Sequence, residues 1–313
     1  MGTNDNDHVP VLVREVLQGL SIRPEGIYVD CTFGRGGHSS AILEQLGKKG
    51  KLFVFDKDPD AIEVAQQLSS TDNRVQCFHS AFSNIINCLK EFELLGTIDG
   101  ILFDLGISSP QINMPERGFS FNLDGNLDMR MDTTTGMSAS TWINRATVEE
   151  ITHVLKVYGE EKFSRRIARA IDEARVEQPI STTHELSRII ISAIPVHDKN
   201  KHPATRTFQA IRIYLNNELD ELAKGLIQAF DLLQTNGKLV VISFHSLEDR
   251  IVKRFMREYS KNDPYPNEIP VTIDMIKPRL KILGKAIKPC KSEIMSNPRA
   301  RSARLRIAEK LQA

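Results

Sequence analysis

Cysteine is scarce in this chain, and its four copies, Cys31, Cys77, Cys88 and Cys290, show no C-x-x-C spacing. That pattern argues against a zinc ribbon or a disulfide framework, so reduced thiols in a cytoplasmic protein and no metal site are expected. No apolar run approaches the ~18 residues of a membrane helix, and the N-terminus shows no signal-peptide core, so no membrane partner is expected. Internal repeats and low-complexity tracts are also missing, which excludes a solenoid. What is present is 313 residues with 41% apolar and 26% charged content, enough for a sizeable core in one large or two ordinary domains.

Net charge is only +1 but is unevenly spread. Eleven Lys and Arg against two acidic residues give Lys277–Lys310 a net +9, leaving −8 for the rest. A solvated face and a polyanionic partner both explain such a segment. The arginines of Asn297-Pro-Arg299-Ala-Arg301-Ser-Ala-Arg304-Leu-Arg306 favour a phosphate-bearing partner, because a planar fork suits phosphate.

The most telling stretch is Asp30-Cys-Thr-Phe-Gly34-Arg-Gly36-Gly37-His38, which follows the apolar run Ile27-Tyr28-Val29. Glycines at 34, 36 and 37 allow positive φ and close approach of backbone N–H groups to a ligand. The amphipathic pattern that follows aims a helix N-terminus at the same place. A second apolar run, Lys51–Phe55, ends in Asp56, 20 residues beyond Gly36, where dinucleotide folds bind ribose hydroxyls. NAD and S-adenosylmethionine both fit this spacing. The second is favoured, because a G-x-G-x-x-G turn needs glycine at position 39 and this chain has Ser39.

Strands are predicted at 27–30, 51–56, 75–78, 98–104 and 237–244, with Ile282-Leu283 and Leu305–Ile307 as the last two. Helices are predicted from Val9 to Leu20 and at 59–69, 83–95, 219–233 and 247–259. Alternating strands and helices require a parallel sheet with right-handed crossovers. Between Asp104 and Lys238 lie 133 residues, far more than one crossover needs. Helical patterns near 147–157, 161–175 and 183–194 make this an inserted all-helical domain over 113–214, between catalytic parts 1–112 and 215–313. Thr182 or Thr183 with Glu185 marks a helix start, and 196–206 reads as a mobile basic loop.

Asp30, Asp56, Asp104 and the Ser243-Phe-His-Ser246 turn all fall at carboxyl ends of predicted strands, where open parallel sheets bind ligands. The block Asp104-Leu-Gly-Ile-Ser108-Ser109-Pro-Gln111 takes the place where class I methyltransferases face the methyl acceptor. With Asp30-x-Thr-x-Gly-x-Gly-Gly-His-Ser, Arg117-Gly-Phe-Ser-Phe121, Leu127-Asp-Met-Arg-Met131, Gln209-Ala-x-Arg212, Ser243-Phe-His-Ser-Leu-Glu-Asp249 and the arginine run, the chain closely resembles the RsmH (formerly MraW) family nearly end to end.

The resemblance implies a Rossmann-like class I methyltransferase that uses S-adenosylmethionine to methylate a cytosine N4 amine of 16S ribosomal RNA, in the decoding region of the small subunit. It implies that Gly34, Gly36, Gly37 and His38 line the cofactor loop, that Asp56 takes the ribose and that Phe82 lies by the adenine. Asp104 and Gln111 then complete the cofactor site. Of these, Gly36 and Asp56 also follow from spacing. Asp104, Ser108 and Ser109 are the candidates to accept hydrogen bonds from the amine. Arg117, Phe119, Arg212, His245, Arg299, Arg301 and Arg304 are the candidates to meet RNA, with Phe121 and Trp142 as further stacking surfaces. A dehydrogenase, a methyltransferase acting on another substrate and a noncatalytic ribosome-assembly factor are the rival readings.

Overall fold

A computed structural model describes residues 10–196, 202–261 and 278–312. Seven strands form one sheet: β1 Ile27–Asp30, β2 Lys51–Asp56, β3 Val75–His79, β4 Ile98–Asp104, β5 Leu233–Ser243, β6 Leu280–Ile282 and β7 Arg304–Lys310. Their order is β3-β2-β1-β4-β5-β7-β6. β1 to β5 pair in parallel, and β7 alone runs antiparallel, between β5 and β6. β1 lies between β2 and β4, so the order reverses there, and the crevice at such a reversal is where α/β sheets bind ligands.

The central strands are largely apolar because both faces are covered. Phe53, Phe55, Ile101, Phe103, Leu239 and Val241 face one core with helices 218–232 and 246–260. Leu52, Val54, Leu102, Val240 and Ile242 face the other with helices 13–20, 37–45 and 59–71. The period-two alternation along β2, β4 and β5 is thus split between two cores.

By internal contacts the chain divides into two units, residues up to Gly106 with those from Leu219, and Ile107–Glu218. The expected insertion was 113–214. Among the described residues the second unit holds no strand, only the bridge Asn126–Thr182, and its α-helices are Ser109–Asn113, Ala139–Arg145, Val148–Gly159, Ser164–Glu177, Thr183–Ala193 and Thr205–Leu215. Thr147 with Glu150 and Thr182 with Glu185 form reciprocal capping boxes that start two of these helices.

Four local expectations change. The helix expected at 83–95 is broken into short turns, because Gln228 takes the backbone of that segment: its Oε1 accepts from Ile86 N at 3.0 Å and its Nε2 donates to Ser83 O. β5 starts at Leu233 rather than 237, with Asn236 at φ +67° and a register shift opposite Ile98–Gly100. The N-terminal helix runs only from Val13, and Val9 lies outside the described residues. Residues 197–201 of the expected basic loop also lie outside them, and from Thr205 the chain is helical.

Candidate active site

β1 ends in Asp30, which is 1% exposed. Its Oδ1 accepts from Thr32 N at 3.1 Å and its Oδ2 from Ser39 Oγ at 2.7 Å. Burial raises its carboxyl above the ordinary value. Ser39 therefore fills the place of the third dinucleotide glycine with a hydroxyl that braces the loop from within. Thr32 Oγ1 in turn accepts from Asp104 N at 2.7 Å, tying the end of β4 to the loop after β1.

The glycine loop closes on the end of β2. Gly34 stands at φ +56° and Gly36 at φ +74°, the left-handed region that disfavours side chains. Gly34 N donates to Asp56 Oδ2 at 2.8 Å, and Asp58 N donates to Asp56 Oδ1 at 2.9 Å. Each Asp56 oxygen keeps a lone pair for a further donor. Burial pushes the Asp56 carboxyl up to about 6, against the two backbone donors. A Cβ on Gly34 would meet nothing within 4 Å, so the loop borders open space there.

Helix 37–45 starts at Gly36 and directs the N–H groups of its first turn toward the strand ends. His38, on that turn, is 6% exposed, and its Nε2 lies 3.4 Å from Asp104 Oδ2. Asp104 Oδ1 is buried without a hydrogen bond among the described residues. The loop, the ribose-type carboxylate and an unused buried acceptor thus stand side by side at the reversal of the sheet.

The other expected residues have the following surroundings. Phe82 is half-buried, with its ring edge-on to Phe103 at 5.3 Å and filling the space left by Gly225. Ser108, Ser109 and Gln111 belong to the helical unit. There Ser108 caps helix 109–113, its N donating to Gln111 Oε1 at 2.9 Å and its Oγ accepting from Gln111 N at 3.5 Å. Three residues expected to meet RNA are buried. Arg117 is 5% exposed and donates to the carbonyls of Arg130 and Met131, while Phe119 at 7% and Trp142 at 5% sit in the helical core. Arg212 is tied in a two-pronged pair to Glu218 at 2.8 and 2.7 Å. Phe121 stacks on His202 at 4.3 Å.

His245 works as a helix cap: its Nδ1 accepts from Glu248 N at 3.3 Å, while Glu248 Oε2 accepts from Phe244 N and His245 N. In the basic segment, Arg306 grips both oxygens of buried Asp249, and Arg304 Nη1 reaches Oδ2 at 3.2 Å. Arg299 and Arg301 are exposed on the turn Pro298–Ser302. Thr32, Ser39 and Glu248 carry structural weight that spacing alone did not reveal. The signal for Ser39 was its place in the glycine pattern.

A sheet of this order, with a glycine loop after β1, an acidic residue ending β2 and another ending β4, defines a Rossmann-like class I methyltransferase. The chain belongs to the MraW methylase family, whose model matches residues 5–311, and is an S-adenosylmethionine-dependent methyltransferase. It is 55% identical over 304 residues to the ribosomal RNA small subunit methyltransferase H of Coxiella burnetii (strain RSA 331), covering 97% of this chain and 99% of that one. It is 52% identical over 311 residues to the enzyme of that name from Alteromonas mediterranea, with 98% and 99% covered. The solved rRNA methylase of Streptococcus thermophilus, at 12% identity, aligns over 97% of this chain and 99% of its own with a TM-score of 0.43. That likeness is too distant to add to the assignment.

Proposed function

We propose that this enzyme methylates the exocyclic N4 amine of a cytosine in the decoding region of 16S ribosomal RNA, in the cytoplasm and within the small subunit. The single observation that carries the chemistry is the buried, unused Oδ1 of Asp104 at the end of β4. Relatives 52–55% identical and named for the small-subunit RNA support the substrate class.

The residues fit the donor. Asp56 offers acceptors to ribose hydroxyls, the first turn of helix 37–45 offers N–H groups to a carboxylate, and Gly34 leaves the space that a Cβ would fill. Phe82 is assigned to the adenine side, and Gln111 completes the set. S-adenosylmethionine, when bound, supplies a sulfonium-activated methyl group.

The cytosine amine is a weak nucleophile because its lone pair is conjugated with the ring. Positioning therefore dominates: alignment alone supplies about 7–11 kcal/mol, against a factor of roughly 10²–10⁴ for a general base. Asp104 Oδ1 accepts one amine N–H and turns the lone pair out of the ring plane, with Ser108 and Ser109 as further acceptors. Once methylated the amine is acidic, and water suffices to take its proton. The target base must leave its stack, which single-stranded or looped RNA allows at least cost.

Nucleoside mass mapping of small-subunit RNA from cells lacking this protein tests the reading. Loss of one N4-methylated cytidine, restored by the wild-type gene and not by Asp104→Asn, is expected. An unchanged nucleoside map would refute it.

A further inference from the structure

His38 is buried at 6% exposure, yet neither ring nitrogen makes a hydrogen bond among the described residues. Two carboxylates are the charged groups that face it, Asp104 at the end of β4 and Asp30 at the end of β1. Asp30 is already engaged, with Thr32 N on one oxygen and Ser39 Oγ on the other. Asp104 is the open partner: its Oδ2 lies 3.4 Å from His38 Nε2, while its backbone N is pinned by Thr32 Oγ1 at 2.7 Å.

We propose that His38 is a positioning residue for methyl transfer, whose ring holds the Asp104 carboxylate by Oδ2 in the one orientation that leaves Oδ1 as acceptor for the substrate amine. The inference rests on the reading of Asp104 given above. An aspartate side chain otherwise has a broad, two-fold terminal torsion, so an unheld carboxylate would present either oxygen at varied angles. Two carboxylates near each other, Asp30 buried and Asp104 partly exposed, also call for a cation between them, and His38 is the group so placed.

Burial opposes a charged ring, but Asp104 and then Asp30 outweigh it and hold the imidazole above its ordinary value. The charged pair is therefore present below that raised value and is lost as pH rises through it. Turnover should show an alkaline limb set by His38.

Three measurements test this. In His38→Gln, kcat at saturating donor and RNA should fall roughly 10–100-fold, the scale of a misplaced catalytic group, with the alkaline limb abolished. Wild-type kcat with the limb intact would overturn the proposal, whereas a purely structural role would lower melting temperature and leave the shape of the pH profile unchanged. Independently of activity, the His38 Cε1 proton followed by NMR should titrate at lower pH in Asp104→Asn than in the wild type. Identical titration in the two proteins would overturn the pairing. Normal turnover by Asp104→Asn would instead defeat the reading of Asp104 as acceptor, a separate outcome.

Discussion

Glu293 Oε1 accepts a hydrogen bond from the backbone N–H of Leu12 at 2.7 Å, joining positions 281 residues apart. Leu12 itself stands at φ +56°, an uncommon conformation for a branched side chain. Two residues earlier, Pro10 lies where a Cβ on Gly37 would fall, 2.8 Å from its Cγ. One of the two acids in the basic C-terminal segment therefore fastens the N-terminal strap that packs on the cofactor loop. Glu293→Ala should lower stability by about 1–2 kcal/mol, the scale of one charged hydrogen bond that is partly exposed. It should also weaken donor binding severalfold. Urea titration and calorimetry check both, and an unchanged donor affinity would mean that the loop stands without its strap.

Gly34 and Gly36 share a left-handed backbone but differ in surroundings. A Cβ on Gly36 would lie 2.7 Å from the Phe33 ring, while one on Gly34 would enter open space. Gly36→Ala should thus combine backbone strain of about 1–2 kcal/mol with a clash, and reduce folded protein at ambient temperature. Gly34→Ala should keep the fold within that strain and still raise the donor dissociation constant more than about tenfold, because its methyl takes ligand space. Normal donor binding by Gly34→Ala, measured by calorimetry, would move the cradle elsewhere.

The strand ends were legible because buried parallel strands are unbroken apolar runs, and an acid closing such a run stands out. Asp30, Asp56 and Asp104 all lie where that pattern put them. The Gly34–Asp56 contact was legible as spacing, since one βα unit brings those positions together. Long-range polar pairing was not. Arg304 and Arg306 read as phosphate-seeking until Asp249, more than 50 residues away, is seen to hold them. The helices 139–145 and 205–215 escaped notice because one is only two turns long and the other follows an irregular basic stretch. The strand expected from Gly237 begins instead at Leu233, with the register shift in its first residues.

Asp56 should give opposite pH responses in folding and in binding. Burial raises its carboxyl from 3.8 to about 6, so the folded chain holds this proton more tightly than the unfolded chain. By linkage, its contribution to stability is greatest when protonated and falls as pH rises through that interval. Ribose hydroxyls, however, are donors to the ionised carboxylate, so donor affinity should fall as pH drops below about 6. Asp56→Asn separates the effects: near neutral pH it should melt higher than the wild type and bind the donor at least about tenfold more weakly. Thermal melts and calorimetry across this range give both curves. A variant that melts lower would show that the two backbone donors, not burial, dominate the site.

The salt dependence of RNA binding should distinguish arginines that look alike in sequence. Lys281, Lys285, Lys288, Lys291, Arg299 and Arg301 are exposed, whereas Arg306 is committed to buried Asp249 and Arg304 shares that carboxylate. Each lost phosphate contact should reduce the slope of log affinity against log salt by about one. The double change Arg299→Glu and Arg301→Glu should therefore flatten that slope by about two. Arg304→Glu should behave differently, setting a carboxylate against Asp249 and lowering stability before RNA is added. Filter binding of a small-subunit RNA fragment at rising salt, with melts of the same proteins, compares the two. If the slope is untouched in the double variant, the basic segment is only a solvated face, and RNA must be gripped by other parts of the molecule.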